Sequence, residues 1–293
     1  MKEYRLGLIF DSPQEEIKVE LADILTENQF DCISTAITQI SDLSNLQRLL
    51  NFVLANESDF IQLLNSTLQD YAAKSESWNG IKPYDQAELF LNSNRLFLNY
   101  LGSMRTFLDH AETFIKRTYG DKSPEYFEFQ KITSIFFDRS FAYRFFYKLR
   151  NYAQHVGLPI DNVSFSVSYN KGKSRSGNLN VTFNRERLLA EYNSWSTVKG
   201  DLEKMKPHFS VIPLIHEMSH NLKEIKRNVE LIHKEPLIKA CNIIESMTKH
   251  LEEEGAEIFV AYDFKDGPEE QFGGFESIRI PFNEINYIKT KLM

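Results

Sequence analysis

Residues 131–160, KITSIFFDRSFAYRFFYKLRNYAQHVGLPI, decide the reading of the fold. Ile132, Ile135, Phe136, Ala142, Tyr143, Phe146 and Leu149 recur every three or four positions, the spacing that gives a helix one buried face. The pattern predicts one long amphipathic helix from Lys131 to His155. Gly157 can take the left-handed conformation that ends a helix, and Pro159 has no N–H with which to continue one, so the stop falls just after His155. Arg150, Asn151 and His155 then occupy the last turns. At ~100° per residue, Asn151 and His155 lie within ~40° of each other, while Arg150 sits ~140° from His155 on a side chain long enough to swing toward it. The three can converge on one small anion.

The carbonyl end of a helix favours a positive neighbour, so an imidazole placed there holds its proton more readily than a free one. Beside a permanently charged guanidinium, such an imidazole suits attack at phosphorus. One group moves protons and the other steadies charge building on the phosphoryl oxygens.

At these residues the chain resembles a known family. Leu149 through His155, LRNYAQH, is similar to the signature of the HEPN superfamily, in which an Arg, a polar residue that is often Asn, a few further positions and a His close a helix. The resemblance runs from about Leu89 to Pro159. It implies an all-α core, a homodimer, and metal-independent endoribonuclease activity that leaves a 2′,3′-cyclic phosphate, in toxins and phage-defence effectors. By position, Arg150 and His155 match the catalytic pair and Asn151 the polar residue between them; no cofactor is implied. The partners implied are an RNA substrate, a second copy of the chain, and an antitoxin or defence-system protein. The alternative is a non-catalytic HEPN-like helical module kept for dimerisation or partner binding.

A bare R-x-x-x-x-H carries little information, because the chain holds a second copy at Arg105–His110 in MRTFLDH. The aromatic helix leading in, the Asn directly after Arg150 and the Gly-Leu-Pro stop supply the weight. Arg105 and His110 are candidate substrate contacts if they face the catalytic end. An Asp109–His110 pair holding neighbouring helices is the plainer reading.

Composition agrees with a helical reading. With 293 residues, 42% hydrophobic and 26% charged, the chain can bury a substantial core, and 23 Phe against 12 Gly suits aromatic-packed helices better than a turn-rich β protein. A net charge of −7 excludes a broadly basic nucleic-acid binder, so any RNA site must be local. Arg139, Arg144, Lys148 and Arg150 offer one such patch, with Arg144 the candidate contact; a solvated helix edge is the alternative. Cys32 and Cys241 are too few and too far apart for a disulfide framework or a cysteine zinc site. No signal-like or membrane-spanning apolar run is visible, so the expected location is cytoplasmic.

The expected architecture is mainly α. A HEPN-like antiparallel helix core, residues 79–160, follows a helical N-terminal segment, 1–78, and precedes a C-terminal half, 161–293, with a small antiparallel β-hairpin or sheet and further helices. In the first segment a short strand at Arg5–Phe10 precedes an N-cap at Asp11-Ser12-Pro13 and helical spacing through Ile17, Leu21, Ile24 and Leu25. Further helices are expected at Ser41–Leu54 and Asp59–Tyr71, with a linker at Lys74–Gly80. Asp85–Tyr119 reads as a second long helix closed by Gly120 and antiparallel to the Lys131–His155 helix.

After Pro159 the period changes to two. Val163, Phe165, Val167 and Tyr169, then Leu179, Val181 and Phe183, predict a hairpin around the basic loop NKGKSRSGN. Lys171, Lys173 and Arg175 in that loop are candidate phosphate contacts. The G-K-S there lacks the glycine and following helix of a nucleotide loop.

The competing motif is HEMSH, His216–His220. H-E-x-x-H can hold zinc through two histidines one turn apart, with a glutamate activating water, which makes a zinc-dependent hydrolase the less favoured alternative. Ile215, Met218, Leu222, Ile225, Val229 and Ile232 form an a/d seam, however, and leave His216, Glu217 and His220 facing away from it. Glu245 and Glu254 are candidate third ligands outside any motif, and no metal is expected. A helix from Pro236 to about Ala256 and a strand with Phe275, Ile278, Ile280 and Phe282 that joins the earlier hairpin complete the reading.

Overall fold

A computed structural model of the chain describes residues 3–10, 18–73, 83–168, 176–252, 256–266 and 272–292. The expected N-cap at 11–13, the linker at 74–80 and the basic loop with Lys171, Lys173 and Arg175 lie outside the described residues. The architecture is mainly α with small antiparallel sheets. Two compact units share the chain, one made of residues 1–45 and 230–293 and the other of residues 46–229.

The first unit centres on a four-stranded antiparallel sheet of order β2-β1-β6-β7, formed by β1 (Arg5–Phe10), β2 (Lys18–Ile24), β6 (Ala256–Asp266) and β7 (Phe272–Arg279). Arg5 pairs with Ala261 and Leu8 with Ile258. Leu6, Leu8, Ile258 and Val260 point into one core with Ile33, Ile37 and Ile40 of α1 (Glu27–Ala73), Leu237 and Ile244 of α8 (Lys234–Thr248), and Ile285 and Ile288 of α9 (Phe282–Leu292). A Cβ at Gly7 would lie 2.3 Å from the Phe259 ring, so β1 needs glycine where that ring crosses it.

Several sequence expectations are corrected here. Residues 18–24 form a strand on β1 rather than a helix, because Val19, Leu21 and their neighbours fit period two as well as the helical period. The two helices expected within 41–71 belong to the single helix α1, which has no Gly or Pro along Glu27–Ala73. A Thr26–Gln29 capping box starts it, Gln29 Oε1 accepting from Thr26 N at 2.9 Å and Thr26 Oγ1 from Gln29 N at 3.3 Å. The helix expected to reach Ala256 ends at Thr248, followed by a 3₁₀ turn at Lys249–Leu251 and then β6. β7 pairs with β6 rather than joining the hairpin, and α9 was not foreseen.

In the second unit α2 (Pro83–Tyr119), α3 (Pro124–Arg139) and α4 (Phe141–His155) follow one another through short turns. Gly120 takes φ +92° at the end of α2, and Ser123 caps α3 ahead of Pro124. The predicted Lys131–His155 helix is thus two helices broken at Ser140. The Ser140 N–H closes α3 on Phe136 O at 2.9 Å, while its hydroxyl accepts from Tyr143 N at 3.1 Å to open α4. Ile135, expected inward, is 38% exposed because the break turns the α3 face away from that of α4.

α2 and α4 run antiparallel. Phe97 meets Phe146 edge-on at 5.5 Å, and Asn94, nearer the start of α2, accepts from the backbone N of Ile160, past the end of α4, at 3.1 Å. The hairpin is present as β3 (Asn162–Ser168) and β4 (Ser176–Asn184), with Val163 opposite Val181 and Phe165 opposite Leu179, extended by β5 (His208–Ser210). α5 (Arg185–Glu191), α6 (Val198–Lys204) and α7 (Ile212–Ile232) follow. Phe145, Phe146, Phe183 and Trp195 are fully buried together, with Phe145 against Phe183 at 5.3 Å and against Trp195 at 5.8 Å. Among the described residues no helix is long and apolar enough to cross a membrane.

Candidate functional site at the end of α4

The last turns of α4 carry Arg150, Asn151 and His155. Leu149 and Tyr152 are fully buried on the inner side of the helix, which leaves Arg150 and Asn151 half-buried at its flank and His155 exposed. The helix stops at His155, as predicted, with Val156 N and Gly157 N both bonding Tyr152 O, at 2.8 and 3.3 Å. It does so without a left-handed Gly157; among the described glycines only Gly120 and Gly274 have positive φ.

Arg150, Asn151 and His155 make no side-chain hydrogen bond or ion pair with one another or with another described residue. The Nε of Arg150 is buried and has no hydrogen-bond partner. A guanidinium N–H shut away from water without an acceptor is costly, and the Nε of nearby Arg187 is buried without a hydrogen-bond partner as well.

The frame around these groups is tightly held. The Tyr152 hydroxyl donates to Glu191 Oε2, and its ring lies against Trp195 at 6.0 Å. Burial, reinforced by the Glu191 carboxylate, pushes the Tyr152 phenol up to about 12, so it remains a hydrogen-bond donor at neutral pH. Arg187 Nη2 donates to the carbonyls of Leu158 at 2.9 Å and Pro159 at 3.1 Å, and its Nε lies 3.4 Å from Asp161. With Asn94 holding Ile160 N, the segment after His155 is fixed from two sides. Sequence reasoning missed Asn94, Arg187 and Glu191. Only Tyr152, inside the motif itself, carried a local signal.

The other candidates stand apart from this trio. Arg144 forks onto Asp201 at 2.9 and 3.1 Å and caps α3 through the carbonyls of Phe137 at 2.6 Å and Asp138 at 2.7 Å, so its donors serve the α3–α4 corner rather than a ligand. Arg105 grips Asp109 with two nitrogens at 2.7 and 3.0 Å and lies 4.4 Å from the Tyr147 ring centroid. His110 is exposed, and no hydrogen bond joins it to Asp109.

No protein-family model, curated protein or solved structure matches the chain. The site therefore rests on its own geometry.

HEMSH lies in the first half of α7. Ile215, Met218, Leu222, Ile225 and Val229 are fully buried, as the seam predicted, and His216, Glu217 and His220 are exposed. His216 Nδ1 shares a hydrogen bond with Glu57 Oε1 at 2.7 Å. Glu217, the water-activating position of a zinc hydrolase, instead accepts from Ser140 Oγ at 2.5 Å, and Asn221 Nδ2 donates to the same hydroxyl at 2.8 Å. Among the described residues no group of three His, Cys, Asp or Glu is placed to hold a metal ion. Glu245 is paired with Lys289, and Glu254 lies outside the described residues.

Proposed function

We propose that this chain is a metal-independent endoribonuclease of HEPN type, acting as a homodimer in a toxin or phage-defence role. The observation that carries the reading is the contrast at the end of α4: the side chains of Arg150, Asn151 and His155 are uncommitted, while Tyr152, the Leu158 and Pro159 carbonyls and Ile160 N beside them are held by Glu191, Arg187 and Asn94.

In this reading the imidazole of His155 takes the proton from a ribose 2′-hydroxyl. The 2′-oxygen attacks the adjacent phosphorus, and the bond from phosphorus to the 5′-oxygen breaks. The 5′-oxygen takes up a proton, which leaves a 2′,3′-cyclic phosphate and a 5′-hydroxyl. Arg150 and Asn151 bind the non-bridging oxygens, where negative charge builds. Active members of the superfamily that the motif resembles complete their cleft with the same motif of a second copy, and the homodimer is proposed on that resemblance.

The test is incubation of mixed RNA with wild type, Arg150→Ala and His155→Ala in EDTA, with the ends of the products identified. Cyclic phosphate ends from wild type and their loss in both variants are expected. Cleavage that survives both changes, or that disappears with chelator in wild type, overturns the assignment.

A second reading, a non-catalytic partner-binding module, is favoured by one observation. Val156 and Leu158, directly after His155, are 42% and 39% exposed, an apolar rim suited to a covered surface. Under that reading Leu158→Glu breaks the assembly and no RNA is cut at any protein concentration.

A further inference from the structure

His155 stands in the last turn of α4, where a helix frays unless its end is closed. A left-handed Gly157 does not close it; the carbonyl of Tyr152 does, accepting from Val156 N and Gly157 N. Glu191 grips the same Tyr152 through its hydroxyl, so that Asn151, one position before, and His155, three positions after, are placed with it. Beyond the helix, Arg187 holds the carbonyls of Leu158 and Pro159. Both holding residues belong to the short helix α5.

An arginine and a glutamate four residues apart on a helix are neighbours and can pair with each other. Arg187 and Glu191 are instead turned to other groups: Arg187 lies 3.4 Å from Asp161, and Glu191 accepts from Tyr152. One turn of α5 thus spends both of its charges on the end of α4 and the segment after it. With seven residues α5 is too short to stand alone, and the fold fixes it at both ends. The Asn184 side chain, at the end of β4, accepts from Arg187 N at 3.1 Å, and the indole Nε1 of buried Trp195 donates to Leu188 O at 2.9 Å. Leu188 is itself fully buried.

We infer that Arg187 and Glu191 are positioning residues for the Asn151–His155 end of α4: they touch no substrate and set the place of the groups that do. The reaction they serve is that of the nuclease reading, on which the kinetic part of this inference rests. Positioning of this kind acts on the chemical step, where a misplacement of ~1 Å costs up to about 10²-fold, and it leaves the affinity for substrate little changed.

The test compares wild type with Arg187→Ala, Glu191→Ala, Glu191→Gln and Arg185→Ala by amide hydrogen exchange at Val156 and Gly157 and by steady-state RNA cleavage in EDTA. Glu191→Gln keeps an acceptor for the Tyr152 hydroxyl, and Arg185→Ala removes a different side-chain contact of α5, to Met205 O at 2.8 Å. In Arg187→Ala and Glu191→Ala the two amides should exchange about tenfold faster and kcat should fall about tenfold, with KM within about twofold of wild type. Glu191→Gln and Arg185→Ala should stay within about twofold of wild type in both measurements. Glu191 is exposed, so its two variants keep the test readable should Arg187→Ala fail to fold. Wild-type exchange in Glu191→Ala overturns the inference, as does an equal effect of Arg185→Ala, which would mark a general loosening of α5, or a rate loss seen in KM alone. RNA left uncut by wild type overturns the nuclease reading instead, and the exchange rates then decide the positioning by themselves.

Discussion

The end of α4 and the start of α7 both carry histidine motifs that chemistry makes attractive, and they differ in what the fold has already done with them. At α7 the groups a zinc hydrolase would need are engaged: Glu57 meets His216, and Ser140 holds Glu217. At α4 the backbone after the motif is fastened by Arg187 and Asn94, while Arg150, Asn151 and His155 are left with their polar atoms uncommitted. A motif is chemically available only where the surrounding structure fixes its position without satisfying its functional atoms.

The largest expected effect tests that contrast directly. In EDTA, His155→Ala and Arg150→Ala should each lower RNA cleavage by about 10²–10⁴-fold, the usual worth of a proton-transfer group or charge-stabilising partner. Cleavage rates with unchanged circular dichroism would establish it, and loss of less than tenfold would remove the difference between the two helices.

A third histidine sharpens the contrast by showing what full burial does. His233 is closed off from solvent, and desolvation pushes its imidazole down to about 4 from an ordinary 6.5. As pH falls below 6.5 the unfolded chain takes up a proton that the folded chain refuses, so stability should drop between pH 6.5 and 4, by at most about 3 kcal/mol, and level off below. Urea midpoints across that range, set against those of His233→Gln, would show it; parallel curves would remove His233 as the cause.

Ser140 serves both motif-bearing helices, opening α4 and holding Glu217 and Asn221 of α7. Ser140→Ala should cost about 1–3 kcal/mol, from the lost cap and from the polar groups left behind, read as a lower melting temperature. Tyr152→Phe removes only the hydroxyl that reaches Glu191 and should cost about 1 kcal/mol, with a several-fold loss of cleavage if the anchoring of α4 matters to the reaction. Smallest of all, Glu217→Gln keeps the acceptor for Ser140 and should leave cleavage within about twofold whether zinc or chelator is added, as expected of a surface change. A collapse of activity there would revive the metal reading.

The parts of the fold legible from sequence were those with long, unambiguous periods. The 83–119 helix, the stop at His155, the β1 strand and the β3–β4 hairpin all followed from spacing, while the hairpin's register and the non-left-handed Gly157 did not. Short apolar runs failed for a physical reason: Lys18–Ile24 and Ala256–Asp266 are strands, the first paired with the nearby Arg5–Phe10 and the second reaching that same distant strand, and local pattern does not distinguish such a run from a helix turn. The break at Ser140 was hidden because apolar spacing continues across it. The serine that caps α4 was the available signal. At the candidate site the motif was readable, whereas its supports were not, since Asn94, Arg187 and Glu191 reach it only through tertiary packing.

The pairing of Arg5 with Ala261 bears on how the molecule is made. During synthesis all of residues 46–229, a contiguous unit, are translated before the strand that completes the first sheet. Until then β1 has only β2 beside it and presents an unpaired inner edge, the kind of surface that recruits stray strands. The helical unit is therefore whole in sequence first, whereas the sheet waits for residues 256–266, and through that interval the inner edge of β1 stands open.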